Sequence, residues 1–168
     1  MGRDGPQRSR QSTLLQVLAR VIEPDSGHVR HLSGAHVAHV GQEVPAWPAD
    51  QTADRLHDDH VRRLVDAGAL ADADVVGLGS TGLLDAEARR TPVGRMSEGQ
   101  RRRLDLALHL AGRPNLVVLD EPTNHLAAWL VDELTEAIRT TRAAVVVATH
   151  DSQLLRDLAD WPHLLLGR

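Results

Sequence analysis

Two short apolar runs, each followed by polar residues, place the strongest constraint on how this chain folds. Residues 115–120 are NLVVLD and residues 143–151 are AAVVVATHD. An unbroken apolar run rich in valine is typical of a strand buried on both faces, as in a parallel sheet. Residues 127–141, between the two runs, have the spacing of an amphipathic helix. This strand–helix–strand order predicts an α/β protein with a mostly parallel sheet.

The rest of the chain also alternates between strand-like and helix-like segments. Residues 36–40 (HVAHV) predict a short strand, and residues 163–166 (HLLL) a last one. Helices are predicted over residues 12–22, 53–70, 97–112 and 152–159. Ser97 is placed to cap the third of these helices and Gly112 to end it. We expect one partial domain over residues 1–168, with a reduced helical subdomain at about residues 50–95.

Composition excludes several classes of protein. The 168 residues carry a net charge of −4 and no cysteine, which argues against a protein that coats nucleic acid by bulk charge and against disulfides or thiolate metal sites. No apolar run reaches the roughly 20 residues that cross a bilayer, and the polar N-terminus has no signal-peptide core. The chain is therefore predicted to be soluble and cytoplasmic.

Polar side chains follow three of the predicted strands. Asp120 and Glu121 end one strand, His150 follows another, and Gln42 follows the strand at 36–40. Open α/β sheets bind ligands at the carboxyl ends of their strands. There, Asp120 is suited to hold Mg²⁺ and Glu121 to polarise an attacking water. By itself, an acidic pair at a strand end is also consistent with a simple turn.

A fourth motif turns these residues into a pattern. Residues 97–100 are SEGQ, and they place Ser97, Gly99 and Gln100 at a helix N-terminus, where anions bind readily. With Gln42, Asp120–Glu121 and His150, in this order, the chain resembles the nucleotide-binding domain of ATP-binding-cassette (ABC) proteins. The resemblance covers nearly the whole chain and implies a P-loop NTPase fold that uses ATP and Mg²⁺.

The resemblance also implies a role for each matched residue. Ser12, Asp120 and Gln42 would serve Mg²⁺, and Glu121 would be the general base. Gln42 and His150 would sense the γ-phosphate. The residues expected along the phosphates are Gly5, Gln11, Ser12 and Thr13. Ser97, Gly99 and Gln100 would clamp ATP bound on a second cassette, which is the expected partner.

Residues 120–126, DEPTNHL, resemble the F subfamily of ABC proteins. Its members are soluble twin-cassette proteins, usually ribosome-associated translation factors or antibiotic-resistance factors, and this chain is most similar to their second cassette. The alternative is the ATPase subunit of a transporter, although such subunits more often have Ser-Ala after the threonine. Two residues depart from the family pattern. Glu98 lies within residues 97–100, which match the family's signature motif, and Ala127 stands where the family's D-loop commonly has an aspartate.

The phosphate-binding loop matches the family only at its flanks. The family pattern is G-P-N-G-A-G-K-S-T-L-L, whereas residues 5–15 are GPQRSRQSTLL and the whole chain lacks lysine. Glycines let backbone N–H groups wrap the phosphates, and the lysine neutralises them. With neither present, the loop is expected to bind ATP poorly. A further alternative is therefore an inactive fragment that supplies only a signature face to a partner.

Two origins are considered for the aberrant loop. The codons AAC GGA GCC GGC AAG, preceded by one inserted C, translate as Gln-Arg-Ser-Arg-Gln, which are residues 7–11. Two compensating single-base changes would thus explain the altered residues, and drift in a site released from selection is the alternative.

The family's first β-subdomain strands and first cassette have no counterpart before Gly5, so we expect the chain to be the tail of a longer gene.

Overall fold

The computed structural model describes the backbone of residues 5–124 and 128–166, and the side chains of residues 10–124, 131–132 and 134–166. Ala127, the departure from the D-loop pattern, lies outside the described residues. The helices are α1 Gly5–Leu18, α2 Ala53–Asp66, α3 Ala86–Arg90, α4 Glu98–Ala111, α5 Ala128–Thr140 and α6 Ser152–Asp157. The strands are β1 Val37–Val40, β2 Leu116–Asp120 and β3 Ala144–Ala148.

The three strands form one parallel sheet in the order β1-β2-β3. Val40 pairs with Leu119, and Asp120 pairs with Ala148, so all three strands end at the same edge. Val40 of β1 and Val118 and Leu119 of β2 are almost fully buried. The residues of β3 are half-buried or exposed, so the prediction that the run at 143–151 forms a buried strand is wrong in its burial. The α/β class and the parallel sheet are therefore confirmed.

The predicted last strand at residues 163–166 is wrong. The described residues after α6 have no strand hydrogen bonds, and Leu164 and Leu165 are 76% and 90% exposed. Three consecutive leucines indicate burial but do not supply a neighbouring strand, and β-pairing depends on such a partner. The segment is apolar without being packed.

Helix α1 begins earlier and ends earlier than predicted. It spans Gly5–Leu18 rather than residues 12–22, so the expected phosphate-loop residues are helical. Arginine and glutamine are good helix formers, whereas the glycines of the family pattern are poor ones, which explains why the helix extends toward the N-terminus. Its C-terminal end is followed by Arg20 at φ +57°, a conformation that stops the helix. α1 packs against β2 and β3.

The chain divides into two compact units. One comprises Met1–Gln42 and Asn115–Arg168 and contains the sheet. The other is Glu43–Pro114, and its bounds include residues 50–95, for which a reduced helical subdomain is predicted. Its core consists of nine buried side chains, namely Ala53, Leu78, Leu84, Ala88, Val93, Met96, Leu104, Ala107 and Leu108.

A buried histidine lies on α2 in the second unit. His57 is 1% exposed, and its Nδ1 is 3.9 Å from Asp58 Oδ1, beyond hydrogen-bond distance. Burial lowers the pKa of His57 below 6.5 against the opposing charges of Asp58 and Asp54. Burial also lowers the pKa of His60, and Arg63 acts in the same direction.

His109 on α4 titrates in the opposite direction. Burial alone would lower its pKa, but the hydrogen bonds and charge of Asp105 outweigh burial and raise the pKa above 6.5. Its Nδ1 is 2.8 Å from the carbonyl oxygen of Asp105 and 3.4 Å from Oδ1 of the same residue. His109 therefore stabilises the folded chain fully below pH 6.5, and this contribution is lost as the pH rises through its raised value.

His57 and His60 should make the chain less stable in acid. Both bind a proton less readily in the folded chain than in the unfolded chain, so the free energy of unfolding falls as the pH drops below 6.5. We expect His57→Leu to make this fall shallower, as measured by urea unfolding at pH 5.5 and 7.5. His28→Leu, at an exposed histidine, is the matched control. Equal pH dependence in His57→Leu and the native chain would contradict the prediction.

Candidate functional site

The parallel register brings the predicted site residues of the first unit to one edge of the sheet. β1, β2 and β3 end at Val40, Asp120 and Ala148, so Gln42, Glu121 and His150 all follow at that edge. The backbone N–H of Glu121 donates to the carbonyl of Ala148 at 2.8 Å and extends the β2–β3 pairing by one residue. The topology therefore places an acid and a histidine side by side, as the sequence predicts.

The Glu121 carboxylate is buried and held by the chain segment after β3. Glu121 is 4% exposed. Its Oε2 accepts hydrogen bonds from the Thr149 hydroxyl at 3.3 Å and from the His150 backbone N–H at 3.2 Å. Its Oε1 lies 3.7 Å from His150 Nε2. The carboxylate is thus oriented by several groups and faces the imidazole.

Glu121 has a strained backbone. Its φ is +48°, in the left-handed region that a residue with a side chain seldom occupies. Such strain persists where surrounding contacts enforce it, and it clusters at functional sites. Here the enforcing contacts are the hydrogen bond to Ala148 and the two donors on Oε2.

His150 is presented by a loop that the next helix holds in place. Asp151 caps α6, and its Oδ1 accepts from the N–H groups of Gln153 and Leu154 at 2.8 and 3.1 Å. The N–H of Leu154, then that of Gln153, and the Thr123 hydroxyl lower the pKa of Asp151 against the effect of burial. The His150 side chain is 48% exposed, so it can reach both Glu121 and a ligand from solvent.

Sequence reasoning missed Thr149 and Asp151. Asp151 stands directly before the helix predicted at 152–159, a pattern that indicates an N-cap. Thr149 had a weaker signal, since only the pairing of β2 with β3 places it opposite Glu121. Both residues connect the acid to the helix that follows β3.

The oxygen donors predicted for Mg²⁺ are chemically suited to it. Asp120 is the last residue of β2, and its side chain is almost fully buried at the edge. Gln42 is exposed two residues after β1, and Ser12 is half-buried on α1. Carboxylate, amide and hydroxyl oxygens are hard donors, and Mg²⁺ sites commonly use one or two carboxylates together with phosphates and water. The donor set fits the ion.

The predicted phosphate residues do not form a loop. Gly5, Gln11, Ser12 and Thr13 all lie within α1. A phosphate cradle needs unusual backbone dihedral angles with several N–H groups pointing inward, whereas a regular helix directs most of its N–H groups along its axis. Residues 5–11 in this conformation do not fit a nucleotide's phosphates, in line with the expectation of poor ATP binding.

The signature residues begin helix α4 in the second unit. Ser97 Oγ accepts from the Gln100 N–H at 3.2 Å, and Gln100 Oε1 accepts from the Ser97 N–H at 2.9 Å. These reciprocal bonds form a capping box, and Gly112 is the C-cap, so both predicted ends of this helix are confirmed. Gly99 lies in its first turn, beside Glu98, whose charge disfavours an anion there.

Comparison with known families identifies the domain. A family model described as ABC transporter matches residues 9–124 of the chain. The chain belongs to the ATP-binding-cassette family. The match includes the cassette's signature motif and the Asp120–Glu121 pair, so the resemblance predicted from the motifs is confirmed.

Curated relatives place this cassette near the F subfamily and near resistance proteins. It is 41% identical over 150 residues to the tylosin resistance ATP-binding protein TlrC of Streptomyces fradiae, covering 89% of the chain and 26% of TlrC. It is 30% identical to ABC transporter F family member 2 of Dictyostelium discoideum, covering 92% and 26%. It is 29% identical to the energy-dependent translational throttle protein EttA of Mycobacterium tuberculosis, covering 94% and 34%. The chain thus spans about a quarter to a third of these relatives.

A solved cassette supports the fold. The dimeric structure of MJ0796, a bacterial ABC transporter cassette, superimposes with a TM-score of 0.67 at 21% identity, covering 89% of this chain and 73% of that one. The P-loop NTPase cassette fold predicted from the sequence is thereby confirmed. Among the described residues of this cassette, no helix is both long and apolar enough to span a membrane.

Proposed function

We propose that this cassette binds ATP with Mg²⁺ and hydrolyses it as one of two cassettes of a cytoplasmic F-type ABC protein. One observation supports this above the others: the buried Glu121 carboxylate after β2 lies 3.7 Å from His150 after β3. We further propose that the protein acts in antibiotic resistance or on the ribosome. The names of TlrC and EttA, a resistance protein and a translational throttle, support that setting.

In this proposal the catalytic groups come from the sheet edge and from α1. Ser12, Asp120 and Gln42 provide oxygen ligands for Mg²⁺, which when bound neutralises charge on the phosphates. Glu121 takes a proton from the attacking water. The oxygen of that water forms a bond to the γ-phosphorus, and ADP leaves with the electron pair of the bond that joined it to the γ-phosphorus. His150 donates to the γ-phosphate, and Gln42 contacts the water or the metal.

The signature face serves the partner cassette. Ser97, Gly99 and Gln100 begin α4, and the N–H groups of a helix N-terminus favour a phosphate. Ser97 and Gln100 bond to each other in the capping box, so engaging a nucleotide requires them to exchange these bonds. ATP held between two cassettes would then link hydrolysis to their closing and opening.

Phosphate release from ATP by the chain assembled with a second cassette tests the proposal. We expect Mg²⁺-dependent turnover that Asp120→Asn lowers about 100-fold, since the variant loses the charge that holds the metal. Asp66→Asn, at an exposed carboxylate on α2, is the matched control and should leave turnover unchanged. Equal rates for both variants would contradict the role of Asp120. Pelleting of the chain with ribosomes, with and without ATP, tests the proposed partner.

A second candidate function has its own supporting observation. The helical backbone of residues 5–11 and the absence of lysine favour a cassette that does not hydrolyse ATP itself. Such a cassette would only contribute its signature residues, Ser97, Gly99 and Gln100, to the ATP site of a partner cassette. Such a chain would show no ATP binding alone and would still raise the turnover of an intact partner cassette. Substituting Gly99→Ala would then abolish that stimulation, whereas Glu121→Gln would not.

A further inference from the structure

We propose that Thr149 is the positioning residue for Glu121: its hydroxyl fixes the orientation of the carboxylate that acts on water. The inference deepens the proposed function and depends on it for the chemistry. Thr149 lies between the end of β3 and His150, directly after the strand that pairs with β2. Its side-chain hydroxyl donates to Glu121 Oε2 at 3.3 Å.

The direction of the Thr149 hydroxyl hydrogen is determined by its surroundings. The hydroxyl oxygen accepts a hydrogen bond from the Asp151 N–H at 3.0 Å. A hydroxyl has one hydrogen and two lone pairs, so its hydrogen is left for an acceptor. Glu121 Oε2 is that acceptor, at 3.3 Å, which is longer than the range of about 2.5–3.0 Å usual for a hydroxyl donor, so the contact orients the carboxylate rather than binding it tightly.

The backbone is held in place on both sides of Thr149. Before it, Ala148 accepts from the Glu121 N–H at 2.8 Å. After it, Asp151 caps α6 through two backbone N–H groups. Thr149 is therefore held in place by β3 and α6, and its hydroxyl in turn orients the carboxylate of Glu121, which follows β2.

The Thr149 hydroxyl and the His150 N–H both donate to Oε2. Removing the hydroxyl would leave the His150 N–H, at 3.2 Å, as the one of these two donors that remains. Two donors on one oxygen restrict the plane of the carboxylate more than one of them does. The backbone of Glu121 is also strained, at φ +48°. Because this strain favours another conformation, the side chain would shift when a contact that holds it is lost. Misplacement of a catalytic group by about 1 Å can lower a rate roughly 100-fold.

Three variants test the inference. Thr149→Val removes the hydroxyl with little change of shape, and Thr149→Ser retains it. The matched control is Thr135→Val on α5, where a buried threonine donates to the Val131 carbonyl at 2.7 Å. We expect Thr149→Val to lower kcat about 10- to 100-fold with KM unchanged. Thr149→Ser should restore most of the rate, and Thr135→Val should leave it unaltered.

A second measurement needs no nucleotide. The carboxyl ¹³C resonance of Glu121, assigned by its loss in Glu121→Gln, should shift in Thr149→Val and stay near its native position in Thr149→Ser and Thr135→Val. An unchanged resonance in Thr149→Val, or an equal shift in Thr149→Ser, would overturn the inference even in a chain that does not turn over ATP. If the resonance behaves as expected but Glu121→Gln leaves turnover unaltered, the proposed function fails and the positioning contact stands.

Discussion

Glu121→Gln is expected to lower ATP turnover at least about 100-fold while ATP binding is retained, because general bases contribute rate factors of that order or more. The amide keeps the size of the carboxylate and can still accept from Thr149 and His150 through its oxygen. It cannot take a proton from water. In a protein with both cassettes, the variant should therefore accumulate in a closed, ATP-bound state.

Two measurements check this expectation. Phosphate release gives the rate, and binding of a fluorescent ATP analogue gives the affinity. Glu136→Gln, at an exposed glutamate on α5, is the matched control and should behave as the native chain. Native turnover in Glu121→Gln would refute the role of this residue, and loss of ATP binding would mean that its charge serves the fold or the metal instead.

Restoring the family pattern over residues 7–11 should strengthen ATP binding by at least about 10- to 100-fold. The variant carries Gln7→Asn, Arg8→Gly, Ser9→Ala, Arg10→Gly and Gln11→Lys. A lysine bonded to phosphate contributes about 1.5–3 kcal/mol, and each 1.4 kcal/mol corresponds to a tenfold change in affinity. The two added glycines should also shorten α1 at its N-terminal end, since glycine is a poor helix former.

The single variant Gln11→Lys separates the charge from the backbone. It adds the lysine but leaves residues 5–10 free to remain helical, so it should recover only part of the affinity. Titration calorimetry with ATP and Mg²⁺ gives the affinities, and circular dichroism follows the loss of helix. If all three chains bind ATP equally, the aberrant loop is not what limits binding.

Much of the sheet and of α4 was predictable because their signals are local. The apolar runs that became β2 and β3 need no knowledge of distant residues, and Ser97, Gln100 and Gly112 mark both ends of α4 by themselves. The alignment of Glu121 with His150 was also predictable, since parallel strands end at one edge.

The failures concern features that depend on a partner or on competing propensities. Residues 163–166 have the composition of a strand but no neighbour to pair with among the described residues. Residues 5–11 match a loop motif at their flanks, yet their own side chains favour the helix that forms. Thr149 becomes meaningful only through the β2–β3 register, which a motif does not specify.

The left-handed backbone of Glu121 sets stability against activity at one position. Glycine adopts φ +48° without the penalty that a side chain incurs, so the residue that best suits the fold here is not the one that suits the chemistry. Proteins often retain such residues at a loss of stability, and replacing them tends to make the protein more robust and less active. Selecting this chain for thermal resistance alone would therefore act against the glutamate on which its proposed activity depends.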